Sequence, residues 1–440
     1  MKKNYYLYKY SLVAALAGFL FGFDTVVISG AEKTIQSLWH LDSTIHGLAI
    51  SMALWGTVLG ALFGGIPTEK FGRRKTLINI GILYFLSAIG SAFAPEVYTF
   101  MFSRFIGGVG IGISTVATPL FIAEISPADY RGRLAGMFQF NIVFGILAAY
   151  LSNALLGGIG ESAWRWMLGV EAIPALIYTL FSFGLPESPR WLILHKKGKE
   201  AALNVFKKIN ENLSIPEIES LINEIEITSH PEQTKTNFFN KSLKKPILLA
   251  ILIAFFNQLS GINAILYFAP RIFEMTGLGQ EAALLQSVGI GITNLIFTLI
   301  GLRLIDKYGR RTLLYIGSIG YILSLGLCAW AFQIGLYSIV PICIFAFIAA
   351  HAIGQGAVIW VFIGEIFPNR FRASGQALGS FTHWFFAASL TLVFPKMAEA
   401  LHPSIIFGSF CFIMVLQLIW VKLMVPETKG ISLEKMAETI

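Results

Sequence analysis

Charge is what this sequence most lacks: Asp, Glu, Lys and Arg make up only 13% of its 440 residues, against 55% hydrophobic. With a mean hydropathy of +0.68, that balance excludes an ordinary water-soluble domain. Cysteine is almost absent too. Cys328, Cys343 and Cys411 all fall in apolar runs, so there is no disulfide framework and no metal-ligand spacing, and they read as packing residues. No Walker lysine motif occurs. Gly107, Gly108, Gly110 and Gly112 miss the dinucleotide-binding register and follow no strand, which argues against a nucleotide site. Small residues at this spacing let membrane helices approach closely. No nucleophile, base and oxyanion set and no cofactor motif is present, so no catalytic residue, metal or cofactor is assigned.

What is present is a succession of apolar runs, at roughly 10 to 30, 45 to 67, 76 to 94, 97 to 123, 134 to 156, 164 to 185, 247 to 269, 282 to 302, 312 to 333, 337 to 364, 374 to 395 and 404 to 425. Each reaches or approaches the about 20 residues needed to cross a bilayer. The expected fold class is an all-α membrane protein with twelve transmembrane helices. The net charge of +8 does not call for nucleic acid, because Lys and Arg cluster in alternate loops, as the positive-inside rule requires. Lys70, Arg73, Arg74 and Lys75, then Arg131 and Arg133, then Arg303, Lys307, Arg310 and Arg311, then Arg370 and Arg372 mark the loops expected to be cytoplasmic, together with both termini. Lys2, Lys3 and Lys9 before the first run imitate a signal peptide, but no small-residue cleavage site follows and the run is too long, so a retained first span is expected.

The chain repeats itself at an offset of about 240 residues. Gly65 to Arg74 returns as Gly301 to Arg311, Glu124-Ile125-Ser126-Pro127 as Glu365-Ile366-Phe367-Pro368, and Pro186 to Arg190 as Pro426 to Gly430. Two pseudo-symmetric six-helix halves, 1–185 and 247–440, follow, with a substrate site expected near the midplane between them. Between the halves, 186–246 is polar and reads as a linker with helices over Arg190 to Ile209 and Pro216 to Ile227, interrupted at Ser214-Ile215-Pro216 and His230-Pro231. Acids and arginines at neighbouring helix ends form a candidate cytoplasmic gate: Glu69, Arg73, Arg74, Glu124, Arg131, Arg133, Glu187, Arg190, Asp306, Arg310, Arg311, Glu365, Arg372 and Glu427. Exposed pairs contribute at most about 1 kcal/mol each, which suits a gate that must open.

Ionisable groups inside the apolar runs require a reason, since a charge at bilayer depth costs roughly 2.5 to 3.5 kcal/mol. Asp24 lies about 21 Å along a first helix that starts near Tyr10. Arg104, on a fourth helix running the other way, lies about 9 Å from its outer end, which is the same level in a core about 30 Å thick. Glu171 on the sixth falls there too. Three such groups at one depth can pair, and they are the candidate proton-coupling set. Amides form the second group: Gln139, Asn257, Gln258, Asn263 and Asn294 sit in apolar runs with Trp360 and Trp384, which supplies hydrogen-bonding groups and flat faces suited to a sugar. His351 and His383 have no ligand spacing and read as packing or pore residues rather than metal ligands.

Arg104-Phe105-Ile106-Gly107-Gly108-Val109-Gly110-Ile111-Gly112, Pro186 to Arg190, Gln258-Leu259-Ser260-Gly261-Ile262-Asn263 and Pro426 to Gly430 resemble signatures of the sugar porters of the major facilitator superfamily (MFS), and the likeness runs over nearly the whole chain. Glu69 stands where that family usually has Asp and keeps the charge. The resemblance implies that Phe21, Gln139, Asn257, Gln258, Asn263, Asn294, Trp360, His383 and Trp384 line the sugar site. Asn257 and His383 depart from the usual Gln and from Asn or Gln. Ile146 stands where xylose symporters of the family carry Gln, as in glucose facilitators, which tilts the expectation to a hexose. It also implies proton coupling, because proton-coupled members have Asp and Arg at the positions of Asp24 and Arg104 whereas facilitators have Asn at the first. The expected function is a proton-coupled monosaccharide symporter of a cell (inner) membrane. The alternatives are a facilitative uniporter and a transporter-like sensor, the last disfavoured by short tails.

Overall fold

The computed structural model describes residues 5–195, 198–209, 213–228 and 238–430, the side chains of 128, 129, 131, 132, 135, 227, 228, 241 and 369 aside. Every regular element among them is helical. Eleven helices are long and apolar enough to cross a bilayer: Tyr5–Gly30, Ser43–Phe63, Arg73–Ala92, Val97–Ile125, Gly136–Leu156, Lys244–Tyr267, Gln280–Tyr308, Arg310–Ile334, Tyr337–Ile366, Arg372–Ala400 and Pro403–Met424. The remaining apolar run, sixth in chain order, is helical in two pieces, Ala163–Gly169 and Ala172–Ser182. Pro174 accounts for the break: it has no N–H to offer the carbonyl of Val170, and its ring crowds that oxygen. Val170 O accepts instead from Ile173 N at 3.2 Å. Twelve segments are therefore present among the described residues, eleven of them long and apolar enough to cross a bilayer by length and composition.

Three further interruptions sit inside the apolar segments. The first tightens into a 3-10 turn at Ile28–Gly30, the seventh breaks at Gly261, whose φ of +89° is left-handed, and the tenth breaks at Gly354. Such backbone is tolerated at bilayer depth only where protein or a polar cavity covers it.

Close crossings set the packing. A Cβ on Gly108 would stand 1.8 Å from Ala53 O, and one on Gly56 2.2 Å from Phe105 O, so the second and fourth segments touch backbone to backbone. The first and fifth segments do the same at Gly22, where a Cβ would meet Ile142 O at 1.8 Å. The second segment also packs along the eleventh and the fifth along the eighth, and these two crossings join the repeats.

The repeated loops fold alike. Gly72 (φ 89°, ψ 165°) and Gly309 (φ 91°, ψ 168°) have one conformation, and each precedes a helix that opens on two arginines. Glu187 accepts from Arg73 N and Arg74 N at 2.7 and 3.1 Å, and Glu427 accepts from Arg310 N and Arg311 N at 2.9 and 3.1 Å. A carboxylate caps each helix start, where unpaired N–H groups favour negative charge.

The linker differs from its expected form. Its first helix is two, Pro189–Leu194 and Lys199–Ile209, separated where Gly198 takes a φ of +112°. Lys199–Ile209 lies against the first segment. Ile215–Thr228 follows, with Ser214 N and Oγ both donating to Glu217 Oε2 at 2.7 Å. His230 and Pro231 lie outside the described residues.

Candidate functional site

The acid in the first segment meets its expected partner. Arg104 donates through Nη1 to Asp24 Oδ1 at 2.5 Å and through Nη2 to the Asp24 carbonyl at 2.9 Å. Glu171, at the Pro174 break, comes within electrostatic reach of both. Each of the three is 1% exposed. One guanidinium faces two carboxyls, so the cluster carries one negative charge when neither is protonated. Asp24 Oδ2 and Glu171 Oε1 are buried, and neither accepts from a donor among the described residues. Such a site is costly unless neutralised, and one proton neutralises it. The fourth segment can approach because it carries Gly107 here: a Cβ there would stand 2.3 Å from Ser87 Oγ.

The amide set converges in part. Gln258 donates through Nε2 to Asn257 Oδ1 at 2.9 Å and approaches His383 Nε2 at 3.0 Å, while its Oε1 accepts from Asn263 Nδ2 at 2.7 Å. The interrupted seventh segment supplies all three amides, because the left-handed turn at Gly261 folds Asn263 back toward Gln258. The His383 ring lies 5.0 Å from that of Trp360 and 4.7 Å from that of Trp384, and Trp384 meets Phe21 edge-on at 5.5 Å. Trp384 Nε1 is buried without a partner. Seven of the nine expected residues thus form one amide and aromatic cluster spanning the first, seventh, tenth and eleventh segments. Gln139 and Asn294 are not bonded to it; Asn294 Oδ1 accepts only a long 3.4 Å bond from Thr298. The other histidine, His351, bonds the Tyr321 hydroxyl at 2.7 Å.

At the end that carries the repeated loops, the ion pairs of Arg73 and Arg310 each stay within one repeat. Arg73 bonds Glu124 at 2.8 and 2.9 Å and Glu69 at 3.0 Å; Arg310 bonds Glu365 at 2.7 and 3.0 Å and Asp306 at 3.4 Å. Arg74 and Arg311 donate to the carbonyls of Phe183 and Lys422 at 2.6 and 2.8 Å. Arg133 and Arg190 are exposed and form no ion pair among the described residues. Arg372 opens the eleventh segment, and the side chain of Arg131 lies outside the described residues. The Arg73 and Arg310 pairs brace loops within their own repeats.

Sequence reasoning passed over two features. Tyr267 is fully buried with an unpartnered hydroxyl, within electrostatic reach of Asp24 and Arg104. Glu32, His46 and Arg271 meet at the opposite end of the molecule, with Arg271 bonding both Glu32 oxygens. The signal for them was faint: ionisable residues at the ends of apolar runs, far apart in sequence.

With this geometry in view, comparison with known proteins is informative. Residues 10–440 match the family described as sugar (and other) transporter. The chain is 35% identical to an arabinose-proton symporter of Bacillus subtilis, covering 97% of this chain and 93% of that one. It is 35% identical to a glucose transport protein of Synechocystis, covering 96% and 95%. The inward open conformation of the xylose transporter XylE from E. coli superposes with a TM-score of 0.87 at 30% identity, covering 98% of this chain and 99% of that one. Together with the helical architecture, these likenesses establish that the chain belongs to the sugar (and other) transporter family, the sugar porters of the major facilitator superfamily, and is a multi-pass membrane transporter of sugars and not an enzyme.

Proposed function

We propose that this protein is a proton-coupled monosaccharide symporter, with a hexose as its cargo, working by alternating access between halves 1–185 and 247–440 that are tied by the linker 186–246. The observation that carries the reading is the buried set of two carboxyls on one guanidinium, Asp24, Glu171 and Arg104, next to the aromatic wall: Asp24 lies one helical turn from Phe21, which touches Trp384. Proton arrival on this set removes its net charge and loosens the hold of Arg104 on Asp24. Arg104 also holds the Asp24 carbonyl, so that release reaches the backbone at the 3-10 turn ending the first segment. A symporter must link ion occupancy to helix position, and this bond is a direct link.

Sugar hydroxyls are taken up by Gln258, Asn257, Asn263 and His383, with Gln139 and Asn294 completing the site from the fifth and eighth segments. Both N–H groups of the Gln258 carboxamide are used by protein partners in this conformation, so a sugar oxygen that accepts from Gln258 must displace one of them, and His383, the partner on another segment, is the exchangeable one. The basic loops are read as cytoplasmic, with both termini on that side of a cell (inner) membrane. Each charge moved through 100 mV contributes about 2.3 kcal/mol, roughly fifty-fold accumulation.

The test is uptake into proteoliposomes with and without an imposed pH gradient. The unsubstituted protein should concentrate radiolabelled glucose and draw protons with it; Asp24→Asn should abolish concentration and proton movement while preserving sugar exchange at equal pH. Accumulation surviving Asp24→Asn would overturn symport in favour of a uniporter, and a competition panel of pentoses, polyols and inositol would overturn the hexose assignment if any outcompetes glucose.

A further inference from the structure

At the end opposite the basic loops, a carboxylate is shut away from water between the two repeats. Glu32, on the short helix Glu32–Leu38 after the first segment, is 1% exposed. It accepts from Arg271 Nε and Nη2 at 2.8 and 2.7 Å, a two-pronged pairing, and from His46 Nε2 at 2.8 Å. Arg271 Nη2 also donates to Gln36 Oε1 at 2.6 Å, and Lys33 pairs with Glu274. Arg271 and Glu274 lie on Ala269–Glu274, which follows the seventh segment. The phenyl ring of Phe268, just before that helix, stands edge-on to His46 at 6.3 Å and stacks on Phe394 at 4.9 Å. Polar and aromatic contacts together thus close this mouth.

These ion pairs differ from those at the basic end in what they join. Both Glu32 to Arg271 and Lys33 to Glu274 cross from one repeat to the other, so parting the repeats here must break them. A two-pronged arginine–carboxylate pair is among the stronger hydrogen-bonded arrangements, and a buried one is lost at large cost when one partner is removed. On parting, water replaces the lost partners, so the bond favours the shut state without forbidding the open one.

We propose that Glu32, Arg271 and His46 form the latch of this mouth and set how often the carrier opens to that side. None of the three joins the sugar cluster, so they act as positioning residues. The idea rests on alternating access but not on proton coupling. Burial pushes the Glu32 carboxyl up, but the bond from His46 and the charge of Arg271 outweigh it and hold the group below the usual carboxylate range. A group so depressed in the shut state stabilises that state fully above its open-state value, near 4.3 for an unperturbed Glu, and loses the effect as pH falls further. The titratable or charged groups facing Glu32 are the His46 imidazole and the Arg271 guanidinium, with the Lys33 and Glu274 pair beside them. Closure should therefore not change between pH 5 and 8 through Glu32, and should loosen below about pH 4.3.

Spin labels on cysteines replacing Leu38 and Leu401, exposed positions on either repeat at this end, with Cys328, Cys343 and Cys411 removed, give the distance across the mouth. Glu32→Gln and Arg271→Gln should each raise the ratio of long to short distances about tenfold or more, and the double swap Glu32→Arg with Arg271→Glu should restore the short one. The unsubstituted protein, taken from pH 5 to pH 3, should gain the long distance, and Glu32→Gln should respond less. Unchanged distances in the folded single variants, or no response to acid in the unsubstituted protein, would overturn the latch. Because distance is read without sugar or a proton gradient, a failure of symport leaves this result standing, and the reverse.

Discussion

At the residue scale, the behaviour of this protein turns on polar groups that have no water to fall back on. Arg104 is the clearest case, because its removal strands Asp24 and Glu171 together at 1% exposure. Arg104→Leu should destabilise the protein by about 3 to 5 kcal/mol, read as a lowered thermal midpoint in detergent, and adding Asp24→Asn should recover part of the loss. His383 gives a gentler prediction. It contributes one hydrogen-bond partner to Gln258, and such bonds are worth about 0.5 to 1.5 kcal/mol each. His383→Asn should therefore alter the sugar KM by about three- to tenfold in equilibrium exchange, with a larger effect on one sugar than another; equal changes for all sugars would remove His383 from selectivity.

At the element scale, glycine decides which helices can cross. Gly108→Val places side-chain carbon where Ala53 O already sits, and folded yield after gel filtration should collapse. Gly65→Ala, with nothing within 4 Å of its new carbon, should leave yield unchanged. This contrast explains what the sequence makes legible. The glycine row 107 to 112 announced close helix approach, and the repeated Gly-Arg-Arg loops announced a duplication, because each needs only local spacing to be seen. The meeting of Asp24 with Arg104 was also foreseeable, since helix rise converts position into depth. Breaks were harder. Pro174 is visible in the sequence, but that it interrupts the sixth segment beside Glu171 depends on how the neighbouring helices accommodate the freed carbonyl. Partners such as Glu32 and Arg271, 239 positions apart, are fixed by how the repeats dock, which no periodicity encodes.

At the scale of the whole molecule, the arrangement of ion pairs divides the protein into parts that travel together and parts that separate. At the basic end Arg73 and Arg310 brace their own repeats, whereas the opposite mouth is tied across by Arg271 to Glu32 and Lys33 to Glu274. Cysteines in place of Lys33 and Glu274, in a background without Cys328, Cys343 and Cys411, should be bridged by a bifunctional methanethiosulfonate long enough to replace the two side chains, which should stop sugar exchange, with recovery on adding dithiothreitol. Exchange that continues at full rate in the cross-linked protein would mean that this mouth need not part. The same docking places an optical gauge at the proposed sugar site. Phe21 and Trp384 come from different repeats and meet edge to face, and the indole nitrogen has no partner. Its emission wavelength should therefore shift when a hydroxylated guest arrives beside it, and Trp384→Phe should erase that part of the signal, so the native fluorescence of the carrier can time its loading without any attached dye.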